Sequence, residues 1–206
     1  MRWRAGCDLS IFLGKTIGRA RCAVASLAGN LPIYFFEGNA VSDALIEVRL
    51  ADYSNPDDAC AVVDLLDAYA RDPFGGDCPL ENAVRTNLVA ALARQAGAFS
   101  LLALVDGVPV GLANCFTGFS TFRCMPLINI HDLMVLPAFR GRRLAQRLMA
   151  LVEQIAVQHG CCKVTLEVLQ GNPHAQQVYT KMGYAGYQLD ATHGQAMLWQ
   201  KKLTPA

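Results

Sequence analysis

The sequence predicts a protein of the α/β class, an α+β arrangement with one mixed, mostly antiparallel sheet of six or seven strands flanked by about four helices. Three observations lead to this prediction. Short apolar runs bounded by turn residues alternate with longer segments that carry apolar residues at helical spacing. Residues 99–119 form two such runs around Asp106-Gly107, which predicts a hairpin. A strand, helix, strand order follows over residues 127–169 and is typical of a βαβ crossover.

Composition favours one soluble domain. The chain has 206 residues, of which 53% are hydrophobic and 17% charged, and its formal net charge is +1. It therefore has no overall field that would attract nucleic acid or an anionic membrane, and we expect neither as a partner. No apolar run reaches the roughly 18 residues that a bilayer span needs. The 8 cysteines are scattered, without zinc-ligand spacing, so we expect reduced thiols, no metal site and a cytoplasmic location.

The N-terminal segment differs from the rest of the chain. Residues 1–43 carry several basic side chains and show no sustained apolar periodicity. We therefore expect a basic, poorly ordered tail over residues 1–43 and one domain over residues 44–206.

The elements of this domain follow one another with clear boundaries. An alternating strand over residues 46–50 precedes Asn55-Pro56-Asp57-Asp58, which has the cap, the N1 proline and the first-turn acids of a helix start. Asp72-Pro73 ends this helix. The later predicted elements are a helix at about 79–95, strands at 99–105, 109–119 and 127–136, a helix at 142–157, a strand at 164–169, a helix at 175–182, and two closing strands at 184–189 and 196–201.

The first candidate site lies where strand 127–136 meets the helix that follows it. A helix N-terminus leaves backbone N–H groups unpaired and carries partial positive charge. Three arginines, Arg140, Arg142 and Arg143, lie beside this one. Such a site suits a pyrophosphate, although an exposed basic helix start would explain these residues as well.

Two ordered motifs make the interpretation more specific. Residues 133–145 fit L-x-V-x-P followed by [QR]-x-x-G-x-[GA], and residues 172–184 fit N-x-x-A-x-x-x-Y-x-x-x-G-[FY]. Together they resemble the signatures of the GNAT superfamily of N-acetyltransferases over roughly residues 45–203. The resemblance implies the GNAT fold, with a splayed strand pair at the cofactor site, and transfer of an acetyl group from acetyl-CoA to an amine. One residue departs from the pattern, because position 143 is Arg where the family usually has Gly.

The resemblance also implies roles for individual residues. Tyr179 is expected to protonate the departing CoA sulfur, and Asn172 to contact the cofactor arm. The remaining expected cofactor-binding residues follow the splayed strand into the helix start: Leu133, Met134, Val135, Arg140, Gly141, Arg142, Arg143, Leu144 and Ala145.

Three residues compete for the role of general base. His131 is expected on the same strand face as Leu133 and Val135, and its ordinary pKa of about 6.5 suits proton transfer near neutrality. Asp132 is expected on the opposite face of a regular strand. Glu167 matches the base position of ribosomal-protein N-terminal acetyltransferases. Each has an alternative interpretation as a hydrogen-bonded structural residue, and this alternative is weaker for Glu167 than for His131 and Asp132.

The acceptor is predicted to be a small primary amine. Acidic and aromatic residues in the loops after the first helix and after the hairpin suit a cation with a carbon skeleton, and the candidates are Asp72, Phe74, Asp77, Phe116, Phe119 and Phe122. A peptide N-terminus or a lysine remains an alternative acceptor. A non-catalytic acyl-CoA-binding sensor is a further alternative, and a homodimer is left open.

Overall fold

The structure is a computed structural model that describes residues 44–190 and 192–203, together with the backbone of three short strands nearer the N-terminus. These strands are β1 (Phe12–Leu13), β2 (Cys22–Ala25) and β3 (Ile33–Phe36). Each pairs antiparallel with the next, and β3 pairs with β4 (Ile46–Leu50). The rest of the expected N-terminal tail lies outside the described residues, so its poor order and the domain boundary at residue 43 stay predictions.

Two helices follow β4, and the sequence explains where each begins. The Asn55 side chain accepts hydrogen bonds from the backbone N–H groups of Asp57 and Asp58, which confirms the predicted cap of α1 (Pro56–Ala70). α2 (Asn82–Arg94) begins later than predicted. The reason is local, because the backbone N–H of Leu80 donates to the Asp67 carboxylate at 2.8 Å and so keeps the chain extended there.

The central part of the sheet is an antiparallel meander. β5 (Ala98–Val105), β6 (Val108–Ser120) and β7 (Met125–Val135) pair in sequence order. Asp106 and Gly107 join β5 to β6 with φ values of 51° and 78°. Positive φ at both positions is the signature of a type I′ turn, so the predicted hairpin is confirmed.

A crossover then returns the chain to the sheet. A 3₁₀ turn (Pro137–Phe139) leads to α3 (Leu144–Gln158), which is followed by β8 (Val164–Leu166). The N–H of Cys162 donates to the Pro126 carbonyl at 2.9 Å, and the N–H of Ile128 donates to the Lys163 carbonyl at 3.2 Å. These bonds fix β8 beside the beginning of β7. β8 ends three residues earlier than predicted, and the splay of the two strands beyond it stays a prediction.

Helices cover both faces of the sheet. Side chains of α1 and α2, including Val62, Leu65 and Leu92, pack with alternate residues of β5, β6 and β7, namely Leu102, Leu104, Leu112 and Met134. The intervening residues Val105, Val110 and Val135 pack with Leu144 of α3. Because successive side chains of a strand point to opposite faces, the two clusters lie on opposite sides of the sheet. The α/β class is confirmed.

The chain divides into two compact units, residues 1–165 and 166–206. The second unit contains α4 (Pro173–Lys181). The two predicted closing strands are wrong for its described residues, because only Gln188 and Gln195 form an isolated bridge. Gly183 and Gly194 have φ values of 90° and 72°, and the Asp190 carboxylate closes a turn onto the N–H groups of Thr192 and His193. These turns interrupt both segments.

None of the helices that the structure describes is long and apolar enough to cross a membrane.

Candidate active site

The start of α3 is built as an anion site. Arg143 is its N-cap residue, with φ 59° and ψ 23°, and makes no side-chain capping hydrogen bond. The first N–H groups of the helix are therefore left without a side-chain cap, and they carry the positive end of the helix dipole. Gly141, two residues earlier, also has a positive φ, 82°. The backbone thus turns sharply into the helix at the predicted cofactor segment.

Arginines surround this helix start. The Arg142 guanidinium lies 5.3 Å from the centroid of the Phe139 ring. Burial, together with the nearby charge of Arg143, lowers the pKa of Arg147. Arg147 is not among the residues predicted for the site, although its position four residues after Arg143 places both on one helix face and is a usable signal. Like charges held this close favour an anion between them.

Arg140, the fourth arginine near this helix start, forms a salt bridge with Asp72. Arg140 donates from Nη2 to the Asp72 carboxylate at 2.8 Å and from Nε to the Val135 carbonyl at 3.1 Å. The hydrogen bonds that Asp72 accepts from Arg140 and from the backbone N–H of Phe74 lower its pKa. Arg140 was predicted for the cofactor and Asp72 for the acceptor. The structure brings the two together and links the end of α1 to the loop before α3.

A cavity of about 270 Å³ opens at this junction. Its walls come from the end of α1, the end of β7 and the 3₁₀ turn, and the lining residues are Ala68, Tyr69, Arg71, Asp72, Pro73, Met134, Pro137 and Arg140. Met134, Arg140 and Asp72 are predicted site residues. Phe119 and Phe122 do not line it, because they lie toward the far end of β6. Phe119 is seven residues beyond Leu112, the partner of Met134, or about 23 Å along a strand.

Two other predicted acceptor residues lie in the loop after α1. Asp77 is exposed with a left-handed φ of 55°, and Phe74 is also exposed. Neither lines the cavity. Their roles stay predictions.

A β-bulge changes the expected geometry of the base candidates. Asn114 of β6 opposes Asp132 of β7, but the next residue, Cys115, opposes Ile130. His131 is therefore the extra residue of a bulge, which the regular alternation assumed from sequence does not allow. The His131 ring packs edge-on against Phe116, with centroids 5.5 Å apart. Phe116 shares its strand face with Asn114, so His131 and Asp132 lie on one face. The expectation that they point to opposite faces is wrong.

Asp132 ends a row of polar side chains that crosses three strands. Its carboxylate accepts from Asn114 Nδ2 at 3.0 Å, and Asn114 Oδ1 accepts from the Ser100 hydroxyl at 2.5 Å. The Ser100 hydroxyl lies 2.7 Å from the hydroxyl of Tyr53. Ser100 and Asn114 were not selected from sequence, although each is a polar residue inside an otherwise apolar strand.

The remaining predicted residues lie in the second unit. Asn172 caps α4, because its side chain accepts from the backbone N–H of Ala175 at 3.1 Å. The Tyr179 ring lies 6.5 Å from the Tyr184 ring, and Tyr179 is half-buried. Glu167 is exposed. Their proposed roles in cofactor contact, acid and base catalysis stay predictions.

Within residues 44–190 and 192–203, no group of three His, Cys, Asp or Glu side chains is arranged to hold a metal ion.

Comparison with known proteins identifies the family. Residues 61–184 match the model of the acetyltransferase (GNAT) family. The match spans more than half of the chain, and the chain belongs to this family.

Relatives and solved structures agree with this assignment. The chain is 27% identical over 88 residues to an aminoglycoside N(6′)-acetyltransferase type 1 of Salmonella typhimurium, an alignment that covers 41% of this chain and 61% of that protein. It therefore spans about three-fifths of the length of this relative.

The fold resembles that of an aminoglycoside acetyltransferase from an uncultured soil metagenomic sample, solved in complex with sisomicin, with a TM-score of 0.61 and 14% identity over 77% of this chain and 97% of that one. It also resembles a ribosomal-protein-alanine N-acetyltransferase from Brucella melitensis biovar Abortus 2308, with a TM-score of 0.54 and 18% identity over 70% and 98%. At these identities the two structures support the fold alone.

Proposed function

We propose that this protein is an acetyl-CoA-dependent N-acetyltransferase that acetylates the primary amine of a small molecule. The observation that carries the proposal is the arginine-flanked, uncapped start of α3, which lies within the residues that match the GNAT family.

The chemistry of this helix start fits the pyrophosphate of a CoA thioester. The first turn of α3, which has no side-chain cap, supplies backbone N–H donors, and Arg142, Arg143 and Arg147 supply the positive charge that two phosphates require. When bound, acetyl-CoA would supply an activated acetyl group. The residues of β7 that precede this site, Leu133 to Val135, are the proposed partners of the cofactor arm.

The reaction needs two proton transfers that involve the chain's own residues, one to a general base and one from a general acid. A general base takes one proton from the acceptor ammonium, so that the nitrogen lone pair can form the new C–N bond. As the C–S bond breaks, its electron pair goes to sulfur, and Tyr179 gives that sulfur a proton. The second proton of the acceptor nitrogen restores Tyr179, and one proton is released overall. The base is proposed from among His131, Asp132 and Glu167.

A small-molecule acceptor has two lines of support. The relative from Salmonella typhimurium described above is an aminoglycoside N(6′)-acetyltransferase. The cavity beside α1 has a volume of about 270 Å³, which suits part of a small molecule, and its wall carries Arg71 and Arg140 as well as the acidic Asp72. Acceptor residues are proposed from the cavity wall and the adjoining loops.

The experiment is thiol release from acetyl-CoA by the purified chain, measured against aminoglycosides, polyamines, aryl-alkyl amines and short peptides. Amine-dependent release with a small amine is expected. Release only with peptides would replace the acceptor class, and tight acetyl-CoA binding without release across the panel would favour the non-catalytic sensor.

The proposed acid is tested by Tyr179→Phe, with Tyr187→Phe as the matched control in the same unit. We expect Tyr179→Phe to lower kcat by roughly 10²-fold or more, since general acid catalysis is typically worth that factor. CoA binding should be retained in both variants. Equal kcat values for the two variants would remove Tyr179 from the mechanism.

A further inference from the structure

We propose that Asn114, Ser100 and Tyr53 are positioning residues that orient Asp132 as the proton acceptor of the transfer, an inference that rests on the proposed function and selects one of its three candidate bases. The inference depends on a row of four hydrogen-bonded side chains. The row runs from the loop before α1 through β5 and β6 to β7, and its members in order are Tyr53, Ser100, Asn114 and Asp132.

Two polar side chains of the row, Ser100 and Asn114, are buried in the core. Ser100 is 1% exposed and Asn114 is 3% exposed, in strands whose neighbouring positions on the same face are the core residues Leu102 and Leu112. Polar groups placed there are costly unless each one is hydrogen-bonded. The row satisfies both side chains, and it emerges from the core at its two ends, Tyr53 and Asp132, which are both partly exposed.

The hydrogen bonds of the row all donate in the direction of Asp132. An ionised carboxylate only accepts, so the Asn114 amide must turn its Nδ2 toward Asp132 and its Oδ1 toward Ser100. The Ser100 hydroxyl has one proton and gives it to Asn114, so it must accept from Tyr53. Every donor in the row therefore points toward Asp132, and Asp132 alone ends it as an acceptor. An amide does not pass protons, so the row orients the carboxylate and does not relay protons.

Asp132 lies on the sheet face that carries Met134, a residue of the cavity wall. Asp132 lies two residues before Met134 in regular register, so both side chains lie on the sheet face that α1 covers. Burial raises the pKa of Tyr69, and the charges of Asp132 and Asp72 raise it further, so the Asp132 carboxylate lies near this residue of α1. Tyr69 lines the cavity. The other two candidate bases, His131 and Glu167, are both exposed, whereas Asp132 is partly covered and its carboxylate accepts from Asn114.

The proposed step is a single proton transfer. The acceptor ammonium loses one proton to an Asp132 oxygen, and the nitrogen keeps the electron pair that attacks the thioester. Asp132 is then a carboxylic acid until it returns the proton to solvent. Orientation matters because an error of about 1 Å in the position of a reacting group can cost roughly 10²-fold in rate.

The test compares Ser100→Ala with Ser100→Thr and with Cys115→Ala in the full chain. Ser100→Ala removes the hydroxyl, Ser100→Thr keeps it, and Cys115→Ala removes a buried group of the adjacent strand on the other face. We expect Ser100→Ala to lower kcat by roughly ten- to one-hundred-fold, with KM for both substrates unchanged. Ser100→Thr should restore most of kcat, and Cys115→Ala should leave it unchanged. Tyr53→Phe, which deletes one half-buried hydroxyl, replaces Ser100→Ala if that variant does not fold.

Dependence on Asp132 is tested with a double-mutant cycle. Asp132→Asn alone should lower kcat, and adding Ser100→Ala to it should have no further effect, because the row acts through Asp132. The inference would be overturned if Ser100→Ala left kcat unchanged, or if it lowered kcat by the same factor in the wild-type chain and in Asp132→Asn. Neither result would affect the proposed function as long as the wild-type chain acetylates an amine. A wild-type chain that acetylates no amine of the panel would overturn both.

Discussion

Arg143 holds a backbone conformation that side chains disfavour. Its φ of 59° and ψ of 23° lie in the left-handed region, where a Cβ costs about 1–2 kcal/mol relative to glycine. This explains in physical terms why glycine is usual at this position of the motif. We expect Arg143→Gly to raise the free energy of unfolding by about 1 kcal/mol and Tm by roughly 2–4 °C, measured by thermal and urea denaturation.

The matched variant is Arg143→Ala, which removes the same charge and keeps the Cβ. It should show none of the gain from backbone relief. Both variants lose one cation at the helix start, so both should bind acetyl-CoA more weakly. Equal stabilisation by Ala and Gly would assign the effect to relief of charge repulsion with Arg147 and not to the backbone.

Residue-level prediction from sequence succeeded where chemistry is local and failed where it depends on register. The sequence shows Arg143 as a departure from the motif, and it shows the cap at Asn55. It does not show that His131 is an inserted bulge residue, because one extra residue leaves the apolar pattern of β7 almost unchanged. The partnership of Ser100, Asn114 and Asp132 likewise depends on pairing across strands that are 14 and 18 residues apart in sequence.

At the scale of elements, α1 is fixed to the sheet by a buried ion pair. Both oxygens of Asp58 accept from the Arg49 guanidinium, at 2.5 and 2.7 Å, and one of them also accepts from the N–H of Asp52. We expect Asp58→Asn to lower the free energy of unfolding by about 2 kcal/mol, since it removes the buried carboxylate that Arg49 pairs with and leaves only Glu47, at 3.1 Å, as its counter-charge. Urea denaturation measures this loss.

Asp64→Asn is the control for this pair. Asp64 also accepts from an arginine, Arg85, at 3.0 Å, but its side chain is 68% exposed against 5% for Asp58. Exposed pairs contribute about 0–1 kcal/mol. If Asp64→Asn lowers the free energy of unfolding as much as Asp58→Asn does, burial is not the reason that the Arg49–Asp58 pair stabilises the fold.

The Arg140–Asp72 bridge joins the end of α1 to the loop before α3. Substitutions that remove one charge at a time distinguish a role in acceptor binding from a structural role. If Asp72 attracts the acceptor cation, Asp72→Asn should raise KM for a cationic amine severalfold, whereas Arg140→Gln frees the carboxylate and should lower that KM or leave it unchanged. Steady-state kinetics at saturating acetyl-CoA measure both. A bridge that serves structure alone would shift KM in the same direction in the two variants.

The boundaries of most elements followed from sequence because their signals are local. Caps, a two-residue turn and apolar periodicity predicted α1, the β5–β6 hairpin, α3 and the strand order. The closing strands failed because strand formation needs a partner, and no local signal at residues 184–201 tells whether one is present. In the described part of that segment Trp199 is 82% exposed, so its apolar residues lack the packing that would hold a strand.

At the scale of the molecule, native carboxylates with lowered pKa values, among them Asp58, Asp67 and Asp72, make stability depend on pH. Burial opposes ionisation of Asp58, but hydrogen bonds from Arg49 and from the Asp52 N–H prevail and lower its pKa. Arg71 and the Leu80 N–H lower the pKa of Asp67, and Arg140 and the Phe74 N–H lower that of Asp72. Because these groups bind protons more weakly when folded, the unfolded chain takes up more protons in acid, and stability rises with pH.

This contribution is complete above the ordinary Asp pKa, about 3.9, and is lost as pH falls through the lowered native values. We therefore expect urea midpoints to be nearly constant from about pH 5 to pH 7 and to decline steeply toward about pH 3. Asp58→Asn should flatten the acid decline, because one of the linked groups no longer titrates. A decline of unchanged steepness in that variant would mean that carboxylates other than Asp58 carry the acid sensitivity of the fold.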